Sequence, residues 1–120
     1  MIRCTRCREL KAASEFHRNA TKAGGLERQC RSCAADRKLL RRYGISRSDY
    51  NSLVSAQGGR CRICIQPPAK GPLVVDHSHR EPMRVRALLC GNCNTALGLF
   101  GDNSVVMARA AEYIGAQDAF

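Results

Sequence analysis

The sequence predicts a small α+β fold, stapled by metal, arranged as one domain or two very small ones. Three observations predict it. Eight cysteines fall into Cys-x-x-Cys pairs, Cys4/Cys7 with Cys30/Cys33 and Cys61/Cys64 with Cys90/Cys93. Around the second set, short apolar runs of β-formers give way to segments of helical period. The chain has 120 residues, no Trp and only 5% aromatic residues. A chain so short and so poor in aromatic bulk rarely builds a sufficient core unaided, and a metal or disulfide staple is the usual remedy.

Metal is the expected staple. The start of the chain, Met1-Ile2-Arg3-Cys4, carries no apolar signal run, and no stretch approaches membrane-spanning length. A reducing, cytoplasmic setting without a membrane partner is therefore expected, where such cysteines bind metal rather than form disulfides. Each Cys-x-x-Cys turn offers two sulfurs, so each set of four fills the tetrahedral shell of a structural Zn²⁺. Such a site is closed to water and substrate. Any chemistry must come from residues the zinc holds in place.

The formal net charge is +10, falling to about +6 once eight thiolates and two divalent ions are counted. Residues 1–42 hold 12 Lys/Arg against 4 Asp/Glu, and residues 43–120 hold 8 against 6. The basic surface thus lies mainly in the first third, and a polyanion, nucleic acid above all, is the expected partner.

In chain order, residues 1–42 read as a zinc-ribbon-like module with a basic linker helix, and residues 43–120 as a second domain. His17 lies near the first cysteines but is surplus to a complete four-sulfur site, so a surface or packing role is expected. Residues 34–43 are good helix formers, with Leu39, Leu40 and Tyr43 on one face and Arg37, Lys38, Arg41 and Arg42 around much of the rest. Gly44 should end that helix. Ser46 should cap the next, with Asp49 in its first turn, a Tyr50/Leu53/Val54 stripe and a stop at Gly58-Gly59. Leu73–Val75 and Val85–Leu89 read as two strands joined through Arg80-Glu81-Pro82. A helix is expected from Gly91 to Phe100. Asp102-Asn103-Ser104 should cap a last one, with Val106, Met107, Ala110, Ala111 and Ile114 as its buried stripe and Gly115 as its end. The two zinc modules share cysteine spacing and, on the sequence, nothing else.

The order knuckle, two strands, helix brings the end of the first strand, Asp76-His77, beside the start of the helix, where Asn94 follows Cys93. Carboxylate and amide oxygens are hard ligands suited to Mg²⁺ or Mn²⁺. A neutral imidazole nearby can take a proton from water. With a basic surface, these groups specify phosphodiester hydrolysis.

The segments Tyr43-Gly44-Ile45, Gln57-Gly58-Gly59-Arg60-Cys61-Arg62-Ile63-Cys64, Val75-Asp76-His77-Ser78-His79, Val85-Arg86-Ala87-Leu88-Leu89-Cys90 and Cys93-Asn94-Thr95-Ala96-Leu97-Gly98 resemble the recombination endonuclease VII family. That family belongs to the HNH, or His-Me finger, nucleases common in phages. The resemblance covers roughly residues 43–115. The chain differs from the family pattern in the turn Arg80-Glu81-Pro82-Met83 and at Ala87, where relatives often carry Thr-Gly and Gly. The resemblance implies a treble-clef ββα-metal core with Cys61, Cys64, Cys90 and Cys93 on zinc. It implies Asp76 and Asn94 as ligands of a catalytic Mg²⁺ or Mn²⁺, His77 as the base and His79 in support. It also implies DNA as substrate, 5′-phosphate and 3′-hydroxyl products, no small-molecule cofactor, and a fold in which a homodimer is allowed. Cys4, Cys7, Cys30 and Cys33 would hold a second zinc, and Arg28, Arg31, Arg37, Lys38, Arg41 and Arg42 would grip the DNA backbone.

Two other readings compete. A non-catalytic tandem zinc module that binds nucleic acid would have no need of Asp76-His77 with Asn94. A thiol redox protein would need one reactive pair rather than two complete sets.

Overall fold

In the computed structural model, which describes residues 1–118, the chain separates into two compact units, Met1–Tyr50 and one beginning at Asn51. Both grow from a cysteine knuckle. In the first, β1 (Ile2–Arg3) and β2 (Leu10–Lys11) pair antiparallel and bracket Cys4 and Cys7. An antiparallel hairpin follows, β3 (Phe16–Arg18) with β4 (Leu26–Cys30), and leads directly into α1 (Arg31–Tyr43).

The core of this unit is minimal. Its buried cluster is Cys4, Phe16, Cys30 and Cys33, with Leu26 packed against them. Phe16 supplies nearly all its apolar bulk, which places the burden of stability on the sulfurs. Helix α1 begins three residues earlier than its composition suggests, because Cys30 in extended geometry (φ −69°, ψ 164°) stands at its N-cap and turns the chain. It ends as expected, with Gly44 left-handed (φ 70°) and its N–H donating to the Leu40 carbonyl.

Helix α2 (Arg47–Ala56) follows. Ser46 Oγ accepts from the Asp49 N–H at 3.0 Å, and Asp49 Oδ2 accepts from the Ser46 N–H at 2.9 Å, a reciprocal cap of the capping-box kind. The Ser46 backbone N–H, and then the Ser46 hydroxyl, hold the Asp49 carboxyl below its ordinary range. Of the expected stripe, Tyr50 is buried and Leu53 and Val54 are half-buried.

In the second unit, the knuckle Cys61–Cys64 leads to an antiparallel hairpin of β5 (Val74–His77) and β6 (Val85–Leu89), then α3 (Gly91–Leu99), which packs on both strands. Leu73, Val75, Leu88, Leu89 and Cys61 form its core. The first strand starts one residue later than expected and runs on through Asp76 and His77, since both remain in the ladder. Gln57 fastens the knuckle to the hairpin. Its Nε2 donates to Leu88 O (3.0 Å) and Arg60 O (2.8 Å), and its Oε1 accepts from Leu88 N (2.9 Å).

Helix α4 (Ser104–Asp118) is capped by Asn103, whose Oδ1 accepts from the N–H groups of Val105 and Val106. The expectation for its stripe is corrected: Val106 and Ala111 are exposed, Ile114 is 59% exposed, and only Met107 and Ala110 are half-buried. Nor does Gly115 end the helix, which runs on to Asp118. Glycine only weakens a helix by about 1 kcal/mol, and stops one where a left-handed turn follows.

The two units share more than cysteine spacing. The N–H of Cys4 donates to Glu9 O and that of Cys61 to Gln66 O; Arg8 N bonds Cys4 O and Ile65 N bonds Cys61 O. Arg8 and Ile65 both have positive φ, 67° and 61°. Thr5 N reaches Arg28 O and Arg62 N reaches Leu88 O. Cys90, like Cys30, is an extended N-cap (φ −68°, ψ 158°). The knuckle-hairpin-helix is therefore a structural repeat, with Cys30 matching Cys90, Gln29 matching Leu89 and Ala34 matching Asn94.

Candidate metal and catalytic centres

Each four-cysteine set is brought together by three separate pieces of chain: the knuckle, the end of the second hairpin strand and the first turn of the helix. All four sulfurs of each set lie within 4.8 Å of one another. Cys4 and Cys33 Sγ are 3.8 Å apart, and Cys64 and Cys90 Sγ are 3.9 Å apart. A tetrahedron with Zn–S bonds of about 2.3 Å has edges of about 3.8 Å, so both sets fit Zn²⁺ as they stand.

The electrostatics of the sulfurs agree. In the second set, burial raises the Cys61 thiol, but N–H groups from the backbone overcome it and bring it to about 6. Burial also raises Cys4, which backbone hydrogen bonds likewise return to about 7. The Ser32 hydroxyl leads in lowering Cys30 to about 5, helped by the Cys33 backbone and by Lys11, whose Nζ lies 3.2 Å from the Cys30 sulfur. Lys11 is raised in turn by that bond. Cys33 and Cys93, by contrast, are pushed up to about 12, by burial first and then by neighbouring sulfurs. One thiolate forms readily in each set and a further one resists, which is the charge problem a divalent ion resolves.

The second unit carries the other sequence-predicted groups. Asp76, on β5, is only 6% exposed. Its carboxylate is gripped by the Arg86 guanidinium, Nε to Oδ2 at 2.6 Å and Nη2 to Oδ1 at 3.1 Å. Arg86 also forks onto Asp102, at 2.9 and 3.1 Å. The arrangement depends on a bulge. Asp76 pairs with Ala87 but His77 pairs with Val85, so Arg86 is the extra residue of β6. Side chains alternate across a ladder, and a bulge re-aims one of them. Asp102 is in turn held left-handed (φ 54°) after α3, with its N–H on Leu97 O. Arg86 keeps the Asp102 carboxyl below its usual range.

His77, half-buried at the end of β5, has its Nδ1 2.9 Å from Ser78 O. A carbonyl only accepts, so Nδ1 carries the hydrogen and Nε2 is the basic nitrogen. His79 is exposed, its ring 4.9 Å from that of His77. Asn94 stands exposed on the first turn of α3, the helix that packs on β5 and β6. Sequence reasoning assigned no role to Arg86 and saw Asp102 only as a cap. The signal was present in β6, where an arginine inside the run Val-Arg-Ala-Leu-Leu calls for an acidic partner.

Arg28, Arg31, Arg37, Lys38, Arg41 and Arg42 are all exposed. Arg31 is tied back to Ser14 O and His17 Nδ1, both at 3.1 Å. Among the described residues no helix is long and apolar enough to cross a membrane.

The fold and its sites define a protein with two four-cysteine sites suited to zinc, whose second unit sets an acid and an imidazole on a ββα frame. Comparison with known proteins places it further: residues 36–116 match the profile of recombination endonuclease VII, and the chain belongs to that family. The Gene 59 proteins of Mycobacterium phages D29 and L5 are 38% and 39% identical over 85 residues, 69% of this chain and 51% of theirs. The chain thus spans about half the length of the curated relatives it matches. Among solved structures it is similar to the beta-beta-alpha-Me type II restriction endonuclease Hpy99I, with 28% identity, a TM-score of 0.44, and coverage of 96% of this chain and 65% of that one.

Proposed function

We propose that the second unit is a DNA endonuclease that hydrolyses phosphodiester bonds, with His77 as general base. The observation that carries the reading is the His77 tautomer. With Nδ1–H committed to the Ser78 carbonyl, the imidazole is held in orientation and Nε2 can accept a proton from water. Asp76 and Asn94 supply a carboxylate and an amide oxygen, the hard donors that suit Mg²⁺ or Mn²⁺. When bound, such an ion would supply charge stabilisation to the phosphate and the departing oxygen. Arg86 would remain anchored by Asp102 whenever Asp76 is otherwise engaged. His79, beside His77, would meet the phosphate. The zinc of the second set would hold β6 and α3 in register, and the exposed arginines and lysines of residues 28–42 would bind the DNA backbone.

The test is cleavage of supercoiled plasmid and of a synthetic four-way junction in Mg²⁺, in Mn²⁺ and without either. His77→Ala should lower the rate by about 10²–10⁴-fold with zinc content and fold unchanged. A second reading, a nucleic-acid-binding module without chemistry, draws on the engagement of both Asp76 oxygens by Arg86. It predicts that folded, zinc-loaded protein shifts DNA on a gel and cuts none of it.

A further inference from the structure

The two knuckles share a backbone and differ at their tips. In the second unit Arg60 Nη1 donates to the Ile65 carbonyl at 3.2 Å, as Arg3 Nη1 donates to that of Arg8 in the first at 2.6 Å. By this bond and the backbone bonds already matched, Ile63 and Ile65 stand where the first knuckle has Arg6 and Arg8. A knuckle of this shape therefore forms without an apolar side chain at either position. Yet Ile63 and Ile65 are 51% and 53% exposed.

Ile65 is the informative residue. It is left-handed (φ 61°), a conformation that a β-branched side chain tolerates poorly and that glycine or asparagine adopts with less strain. Neither the backbone of the knuckle nor burial accounts for isoleucine here, and residues that break a local rule cluster at functional sites. Its surroundings define what would cover it. Ile65 lines a groove of about 500 Å³, with Leu53 and Ala87 as further apolar wall and Arg60, Arg62 and Arg86 as cations. No acid among the described residues lines it. Arg86 is the residue that grips Asp76, so the groove adjoins the candidate catalytic centre. An apolar seat rimmed by cations suits flat apolar faces joined by anions, which describes a nucleic-acid strand with a base out of its stack. An apolar peptide would leave the arginines without counter-charges.

We infer that the second knuckle is an apolar wedge: Ile63 and Ile65 enter between the bases of DNA, one unstacked base seats in the groove against Ile65 and Leu53, and Arg62 takes the phosphate beside it. Isoleucine is among the side chains that proteins insert between base steps to unstack them. Arg60, with Nη1 on the Ile65 carbonyl, holds the tip in shape. Arg62 is exposed and adjoins the tip in sequence. The inference rests on the reading of the protein as one that acts on DNA, and adds a device that deforms DNA beside the site of cleavage.

The experiment is the fluorescence of short DNA duplexes carrying the adenine analogue 2-aminopurine at successive positions, titrated with the full, zinc-loaded chain and no Mg²⁺ or Mn²⁺. Stacking quenches this base, and an aliphatic cover does not. Emission should rise as the chain binds. Ile65→Asn suits the left-handed turn; it should remove the rise and weaken binding about fivefold, the worth of covering half an isoleucine. Its melting temperature should be unchanged or higher, because strain is relieved. Ile63→Arg with Ile65→Arg, the residues of the first knuckle, should keep or tighten binding and still remove the rise, which separates wedge from charge. A wild-type chain that binds every duplex without a rise overturns the inference, as does a rise that survives both sets of substitutions. A lower melting temperature for Ile65→Asn would show that isoleucine serves the packing of the knuckle itself, and overturns it too. A rise without cleavage once Mg²⁺ or Mn²⁺ is added would refute the nuclease reading alone. Cleavage without a rise would refute the wedge alone, and no binding to any duplex would overturn both.

Discussion

Arg86 holds Asp76 by both carboxylate oxygens, at 2.6 and 3.1 Å, and reaches it because it is the bulged residue of β6. A charge as deeply placed as Asp76 is stable only when paired, and the planar fork of arginine suits a carboxylate better than an ammonium would. Asp102 completes the network from the far end of α3. The bulge, the turn at Asp102 and the acid beside the proposed base are thus one structural unit.

Arg86→Ala should therefore leave Asp76 buried and unpaired. Loss of one partner of a buried pair costs about 3–5 kcal/mol. The Arg86 side chain is 38% exposed, so about 2–3 kcal/mol is expected after solvent screening. Arg86→Lys should recover only part of it. Urea denaturation of zinc-loaded protein measures both, and an unchanged midpoint for the alanine variant would show that water replaces the guanidinium.

The Gln57 amide substitutes for a neighbouring strand by pairing with both the N–H and the carbonyl of Leu88, a residue with no solvent exposure. Gln57→Ala orphans the Leu88 N–H and leaves its carbonyl to the Arg62 N–H alone, at about 1–2 kcal/mol in total. Amide exchange at Leu88 should quicken well beyond that of its strand neighbours. Retained protection there would show another partner.

Three of the four residues in the first unit's buried cluster, Cys4, Cys30 and Cys33 beside Phe16, belong to its four-cysteine set. Stripping the metal with a strong chelator should unfold this unit outright, since burial of one phenylalanine cannot offset the ordering of its chain. The second unit keeps Leu73, Val75, Leu88 and Leu89 and should retain more protected amides. The reverse order in an exchange experiment would contradict this division.

Zinc affinity should rise with pH. In the metal-free sites Cys30 and Cys61 sit at about 5 and 6, and Cys33 and Cys93 at about 12. Binding must therefore expel protons from Cys33 and Cys93 throughout the neutral range. These thiols are depressed once metal-bound, so the stabilisation is present at high pH and lost as pH falls. Competition with a chromophoric chelator between pH 8 and pH 6 should give progressively weaker binding; a flat profile would mean that fewer sulfurs ligate as thiolates.

What the sequence by itself determined is the chemistry that acts over a few residues. The cysteine pairs, the Gly44 stop, the Ser46 cap with Asp49 in its first turn, the span of β6 and a cap within Asp102-Asn103-Ser104 could be read directly, because each depends on bonds within one turn or on a spacing fixed by the metal. The Asp76-His77 pair at a strand end was also visible. The tertiary structure alone decided that Arg86 leaves its alternating position through a bulge, that Gln57 clasps Leu88 across 31 residues, and that the apolar stripe of α4 is largely exposed. It also revealed the repeat, which lives in backbone hydrogen bonds rather than residue types. Those features depend on ladder register and on which faces meet, and register is set by the whole hairpin and its metal, not by any segment alone.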